Sequence, residues 1–325
     1  MSAKHVPVTI LTGFLGSGKT TLLNRILKEP HGHRIAVIEN EFGAEGVDND
    51  LLLQEREEQI VEMNNGCICC TVRGDLIRIL GDLKQRRDAG DIRFDRVIIE
   101  TTGLADPGPV AQTFFLDDDI ADYYLLDAVV TVVDAAHGER QLDEHKEAQE
   151  QVGFADRILL SKIDLVDEAR QTALRQRLAR INPRAPIKPV HFGNADIADV
   201  LDIRGFNLNA ILELDPQFLT SDDHTHDDAV QSFVFKSNKP FDPGKLEDFL
   251  GGIIQVYGQD MLRYKGVLYM KGADRQTVFQ GVHQMMGADT GRRWQPGEKP
   301  SSKMVFIGRN LPRDVFVKGL EQCLA

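Results

Sequence analysis

Short apolar runs alternate with amphipathic stretches over the first two-thirds of the chain. Residues 6–11 are apolar and β-branched and read as a buried strand. Leu22, Leu23, Ile26 and Leu27 follow at helical spacing and stop before Pro30. Residues 35–38, 59–62, 97–99, 128–133, 158–160 and 187–190 read as further short strands. Helices are expected over 71–87, where Leu76, Ile79, Leu80 and Leu83 share a face, over 110–115, and over 168–181. Leu104-Ala105-Asp106-Pro107 reads as a break before the second of these, and the acidic stretch 44–58 as a loop. Strands alternating with helices predict a parallel sheet with helices on both faces.

The pattern then changes. Periodicity fades from about residue 202 to 229, and beyond it strands are expected over 231–236, 267–270, 277–280 and 304–308. Leu246, Phe249, Leu250, Ile253 and Ile254 have helical spacing, as do Val315, Phe316 and Leu320. Trp294 and the other aromatics of this part are assigned to its core. The expected organisation is an α/β domain over 1–205, an acidic, His-containing linker over 206–229, and a smaller α+β domain over 230–325.

The first strand runs into Gly13-Phe14-Leu15-Gly16-Ser17-Gly18-Lys19-Thr20-Thr21, which fits the phosphate-binding loop G-x-x-x-x-G-K-T. Its glycines let backbone N–H groups and a helix N-terminus face an anion. Gly13, Gly16, Ser17, Gly18, Lys19, Thr20 and Thr21 are therefore nucleotide-binding candidates. Lys19 supplies a cation for the β- and γ-phosphates, and the Thr20 hydroxyl is a Mg²⁺ ligand. Glu100, at the end of the strand 97–99 and followed by Thr101-Thr102-Gly103, is the second Mg²⁺ ligand in a Walker B arrangement. Lys19 and Glu100 are the catalytic candidates, and Gly103 can pivot its N–H toward a γ-phosphate. After a later strand, Ser161-Lys162-Ile163-Asp164 resembles a guanine-specifying N-K-x-D loop with Ser in place of Asn. Guanine presents N1–H and N2–H₂ side by side to one carboxylate, whereas adenine would place a lone pair there. Asp164 thus selects GTP over ATP, and the aliphatic stem of Lys162 can lie over the base. The missing Asn is expected to weaken loop anchoring more than base choice.

Of the four cysteines, three are packed into Cys67-Ile68-Cys69-Cys70, and Cys323 stands alone. Neighbours so close do not build a disulfide framework and read as a metal or redox site. Thiolates suit Zn²⁺, with Co²⁺ and Ni²⁺ as borderline choices. A tetrahedral site needs one more ligand, and Glu39 or Glu41, at the end of the strand 35–38, is the candidate. His224 and His226, in Ser-Asp-Asp-His-Thr-His-Asp-Asp, form either a weak accessory metal site or a solvated linker. The net charge of −12 argues against a nucleic-acid partner. No apolar run approaches a membrane span, and residues 1–5 lack a signal-peptide core, so a cytoplasmic protein is expected.

The phosphate loop, Glu39-Asn40-Glu41-Phe42-Gly43, Gly66-Cys67-Ile68-Cys69-Cys70, Glu100-Thr101-Thr102-Gly103 and Ser161-Lys162-Ile163-Asp164 together resemble the CobW-type metal-chaperone GTPases, most closely their bacterial YjiA branch. Leu262-Arg263-Tyr264-Lys265-Gly266 resembles the family's C-terminal domain. The resemblance implies GTP and Mg²⁺ binding, slow GTP hydrolysis, zinc or cobalt held at the cysteines, and metal delivery to an unknown client metalloprotein. Two other readings remain: a zinc buffer or sensor that binds nucleotide only as a ligand, and a P-loop small-molecule kinase. Oligomeric state is not set by the sequence.

Overall fold

The computed structural model describes residues 5–39, 59–62, 71–206, 228–295 and 297–325. Cys67, Cys69, Cys70, Glu41, His224 and His226 lie outside the described residues. The chain divides into two units: Met1–Gln151 with Ala155–Leu174 and Pro186–Gly205, and Val152–Phe154 with Arg175–Ala185 and Phe206–Ala325.

Along the chain to residue 189 the order is β1 (Val6–Thr12), α1 (Lys19–Lys28), β2 (Ile35–Glu39), β3 (Gln59–Glu62), α2 (Thr71–Asp88), β4 (Arg96–Glu100), α3 (Pro107–Leu116), α4 (Asp118–Ala121), β5 (Tyr124–Asp134), α5 (Gly138–Glu144), α6 (Lys146–Phe154), β6 (Arg157–Ser161), α7 (Glu168–Ile181) and β7 (Ile187–Pro189), with the ends of α6 and α7 belonging to the second unit. All strand pairings are parallel, in the order β3-β2-β4-β1-β5-β6-β7. Every residue of β2 and nearly all of β5 is buried, so helices cover both sheet faces. Leu22, Leu23, Ile26 and Leu27 of α1 pack with Leu11, Val37, Ile98, Val130 and Leu159 from five strands.

This topology decides where chemistry can occur. From β1 the chain moves outward to β2 and β3, returns to β4 beside β1, then crosses to β5 on the other side. The carboxyl end of β1 is therefore the topological switch point, where open α/β sheets bind ligands. The register aligns the acids at that edge: Glu39 pairs with Glu62 and with Glu100, and Glu100 with Leu11.

The expected break is present over 104–106, and the helix after it begins at Pro107, three residues before the expected Val110. Asp106 accepts a hydrogen bond from Gly108 N at 2.8 Å, and Pro107 occupies the first turn, where its missing N–H costs nothing.

The second unit is an antiparallel sheet, β11-β10-β9-β12-β8, built from β8 (Val230–Ser237), β9 (Met261–Leu268), β10 (Arg275–Val282), β11 (Met285–Arg293) and β12 (Ser302–Arg309). It carries α8 (Pro243–Tyr257) and α9 (Arg313–Gln322). Phe233, Phe235, Tyr264, Phe279 and Phe306 from the strands meet Leu246, Leu250, Phe316 and Leu320 from the helices. The Arg263 guanidinium, fully buried, lies 3.5 Å from the Phe206 ring centroid. Cys323 is a buried, free thiol in the core, and burial pushes its pKa up. Trp294 is only half-buried and meets Tyr269 edge-on, at the margin of the core rather than within it.

Candidate functional site

The loop after β1 bends through left-handed backbone at Gly13, Gly16 and Gly18, with φ of 145°, 71° and 102°. Those values are natural for glycine and costly for other residues. Gly18 then caps α1 with no side-chain acceptor, leaving the first-turn N–H groups open to an anion. Lys19 is buried, and its Nζ donates to the Gly13 carbonyl at 2.8 Å, so the ammonium is folded back over the loop. Burial lowers the Lys19 pKa, and the Glu100 carboxylate pulls it back up. The Ser17 hydroxyl is buried with no hydrogen-bond partner among the described residues. Thr21 is exposed on the first turn of α1.

The Thr20 hydroxyl donates to Glu100 Oε1 at 3.1 Å, so the two Mg²⁺ candidates are side by side. A hydroxyl and a carboxylate oxygen make a hard, all-oxygen pair, the donor chemistry Mg²⁺ prefers. Next to Glu100, Thr101 donates to Thr12 Oγ1 at 2.8 Å and ties β4 to β1. Gly103 presses on the phosphate loop: a Cβ there would lie 2.7 Å from Leu15 N. The Gln151 side chain, buried in α6, donates to the carbonyls of Gly103 and Ala105, both at 3.1 Å. Gln151 thus holds the loop that follows Glu100. Sequence reading missed it, since a lone Gln in a helix gives no signal.

Across β1, Asp134 ends β5 fully buried. Its carboxylate accepts from Ala136 N at 2.8 Å and Lys162 Nζ at 2.7 Å, and lies 2.9 Å from His137 Nδ1. Burial alone would raise the Asp134 pKa; these partners outweigh it and hold the carboxyl below its ordinary value. Lys162, at φ 55°, also donates to the Gly16 carbonyl at 2.8 Å. Its stem therefore runs from the β6 turn back to the phosphate loop. Asp134 and His137 had not been singled out, although Asp134 ends the longest apolar strand as Glu100 ends its own.

The Ser161 hydroxyl donates to the Ser17 carbonyl at 2.7 Å and lies 3.2 Å from that of Val133, so this short side chain reaches the phosphate loop. Asp164 sits beyond it with a half-exposed carboxylate, 3.8 Å from His191 Nε2. Glu39 is buried at the end of β2, in register with Glu100. Among the described residues no group of three His, Cys, Asp or Glu side chains is arranged to hold a metal ion. No described helix is long and apolar enough to cross a membrane.

The parts brought to one sheet edge are a folded-back lysine, a Thr–Glu pair and a Lys–Asp pair. Residues 7–189 match the CobW/HypB/UreG nucleotide-binding domain, and residues 230–324 the cobalamin synthesis protein CobW C-terminal domain. This chain belongs to the CobW family. It is 45% identical over 310 residues to the zinc chaperone YjiA of Escherichia coli (strain K12), covering 95% of this chain and 96% of that one. It is 33% identical over 360 residues to zinc-regulated GTPase metalloprotein activator 1 of Schizosaccharomyces pombe, covering 97% and 85%. The crystal structure of Zn(II)-bound YjiA GTPase from E. coli aligns at a TM-score of 0.84 and 38% identity, over 99% of this chain and all of that one. The CobW-family fold thus extends through both units.

Proposed function

We propose that this chain is a GTPase metallochaperone that binds zinc or a neighbouring transition metal, Co²⁺ or Ni²⁺, and couples nucleotide state to metal transfer to a client protein. The observation that carries it is the pairing of Thr20 with Glu100 at the switch point, beside Lys19 and in reach of Asp164's loop. The printed names of the relatives, a zinc chaperone and a zinc-regulated GTPase, support the same reading.

In this reading Gly13, Gly16, Ser17, Gly18, Lys19 and Thr21 hold the phosphates, and Lys162 and Asp164 hold the guanine. Thr20 and Glu100 would hold Mg²⁺, which would supply neutralisation of the triphosphate's negative charge. The chain's own contribution to hydrolysis is positioning and charge. The α1 amides and Lys19 orient the triphosphate for in-line attack by water. On nucleotide binding the ammonium would turn from the Gly13 carbonyl to phosphate oxygens, whose negative charge would offset the burial that lowers its pKa. Lys19→Ala is expected to reduce phosphate release from GTP about 100-fold or more. Turnover of the isolated, metal-free protein at tens per second would contradict a slow switch, and loss of GTP preference in ATP competition would favour the kinase reading.

The cargo site is assigned to Cys67, Cys69 and Cys70 with a carboxylate from Glu39 or Glu41. Cys67 follows the end of β3 by five residues, and Glu62 pairs with Glu39. Five residues span at most about 17 Å, so the sequence spacing permits Cys67 to reach that carboxylate edge. Cys69→Ala is expected to weaken zinc binding at least about tenfold in a chelator competition. An unchanged affinity would remove the cluster from the mechanism and leave nucleotide binding untouched. His224 and His226 are accessory at most: their replacement is expected to leave the tight zinc site intact.

A further inference from the structure

The segment after β7 is not accounted for by the phosphate or carboxylate chemistry. His191, Phe192, Gly193 and Asn194 form a tight reversal, closed by Asn194 N donating to the His191 carbonyl at 2.9 Å. Both central residues are left-handed, Phe192 at φ 48° and Gly193 at φ 73°. That is the φ pattern of a type I′ turn, whose first central position favours Asn, Asp or Gly. A phenylalanine there is strained, because its Cβ crowds the backbone. Gly193 has a reason: a Cβ would lie 2.9 Å from the Thr21 carbonyl, so the turn is seated on the first turn of α1. Phe192 has no such packing reason. It is 76% exposed, and its ring meets that of His191 edge to face, centroids 4.6 Å apart at 89°. The same imidazole approaches the Asp164 carboxylate at 3.8 Å.

An exposed aromatic ring held in a strained turn is an unfavourable arrangement for stability alone, and such outliers concentrate at ligand sites. The turn lies between two things a nucleotide would touch: the α1 N-terminus through Gly193, and Asp164 through His191. We propose that Phe192 is a stacking surface for the nucleobase, with His191 and Gly193 setting its distance from Asp164 and from the phosphate loop. The inference rests on the nucleotide site proposed above and adds to the Lys162 stem an aromatic group for a π-face of the base. Asp164 reads the edge of the base and Phe192 its face. Affinity and base choice are therefore separable: stacking is tolerant of base identity, and the carboxylate is not.

The experiment measures GDP, ADP and inorganic tripolyphosphate binding to the full chain and to Phe192→Ala, Phe192→Tyr and Phe192→Asn, alongside thermal melts without ligand. Phe192→Ala and Phe192→Asn are expected to weaken GDP about tenfold, the order of one base–aromatic stack. ADP, where measurable, falls by a similar factor, tripolyphosphate binding stays unchanged, and Phe192→Tyr keeps the GDP affinity. Phe192→Asn suits the left-handed turn and is expected to melt at or above the wild-type temperature, so loss of affinity is not loss of fold. Equal GDP affinity in wild type and Phe192→Asn overturns the stacking role, as does an equal loss of tripolyphosphate binding. A wild type that binds tripolyphosphate but not GDP overturns the guanine site itself, and the two failures are distinct.

Discussion

At the residue scale, two aspartates, Asp134 at the end of β5 and Asp164 in the turn after β6, do different work. Asp134 is buried and satisfied, held by Lys162, His137 and backbone amides; Asp164 is half-exposed with the edge of its carboxylate open. The first fits a brace between β5, β6 and the phosphate loop, and the second fits a reader of the base. Asp164→Asn is expected to weaken GTP binding about tenfold or more, the scale of a charged hydrogen bond, and to gain affinity for xanthosine triphosphate. Unchanged preference in a competition assay would free Asp164 of that role. Asp134→Asn leaves Lys162 without its carboxylate partner and is expected to cost about 1–3 kcal/mol in chemical denaturation. The Asp134 carboxyl is held below its ordinary value of 3.8 in the folded chain. Its contribution is therefore complete above that value and is lost as pH falls through the lower, folded-state pKa. The acid limb of the stability curve flattens in Asp134→Asn; an acid limb parallel to wild type would show that the carboxylate adds nothing.

At the scale of elements, the loop after β4 is set against the phosphate loop by two contacts. Gly103 touches Leu15, and Gln151 in α6 grips the Gly103 and Ala105 carbonyls. Gln151→Leu releases both carbonyls and is expected to speed amide hydrogen exchange over 103–106 without unfolding β4. Unaltered exchange there would mean that Gly103's packing alone fixes the loop. Gly103→Ala, whose methyl collides with Leu15 backbone, is expected to impair GTP hydrolysis even where the chain still folds.

The parallel strands were legible because each is a short apolar run, and the phosphate loop because its spacing and flanks are specific. β11 was not legible: Met285–Arg293 carries two glycines and few β-formers, and most of it is exposed, so pairing with β10 rather than propensity makes it a strand. Residues 138–154 hide two short helices whose polar, interrupted faces show weak periodicity. In the site, Lys19, Thr20, Glu100, Lys162 and Asp164 could be named from motifs. Gln151, His137 and Phe192 could not, because their roles depend on β5, α6 and the turn after β7 converging on one edge. That convergence is set by strand order, which a linear pattern does not carry.

At the scale of the molecule, β4, β2 and β3 deliver Glu100, Glu39 and Glu62 to one edge in register, one, two and three strands from β1 and its phosphate loop. The cysteine motif follows β3 in sequence. A γ-phosphate held by Lys19 beside the Thr20–Glu100 pair and a metal held near Glu39 would then act on neighbouring strand ends. Any coupling between them must be reciprocal in binding free energy. The measurement that tests this most directly is a zinc titration of the full chain by chelator competition, without nucleotide, with GDP, and with a non-hydrolysable GTP analogue. A zinc affinity that differs between the GDP and analogue states by about fivefold or more is the expected result, with the difference abolished by Lys19→Ala. A zinc affinity identical in all three states, with guanine nucleotide shown to be bound, would contradict the coupling and reduce the protein to two independent sites.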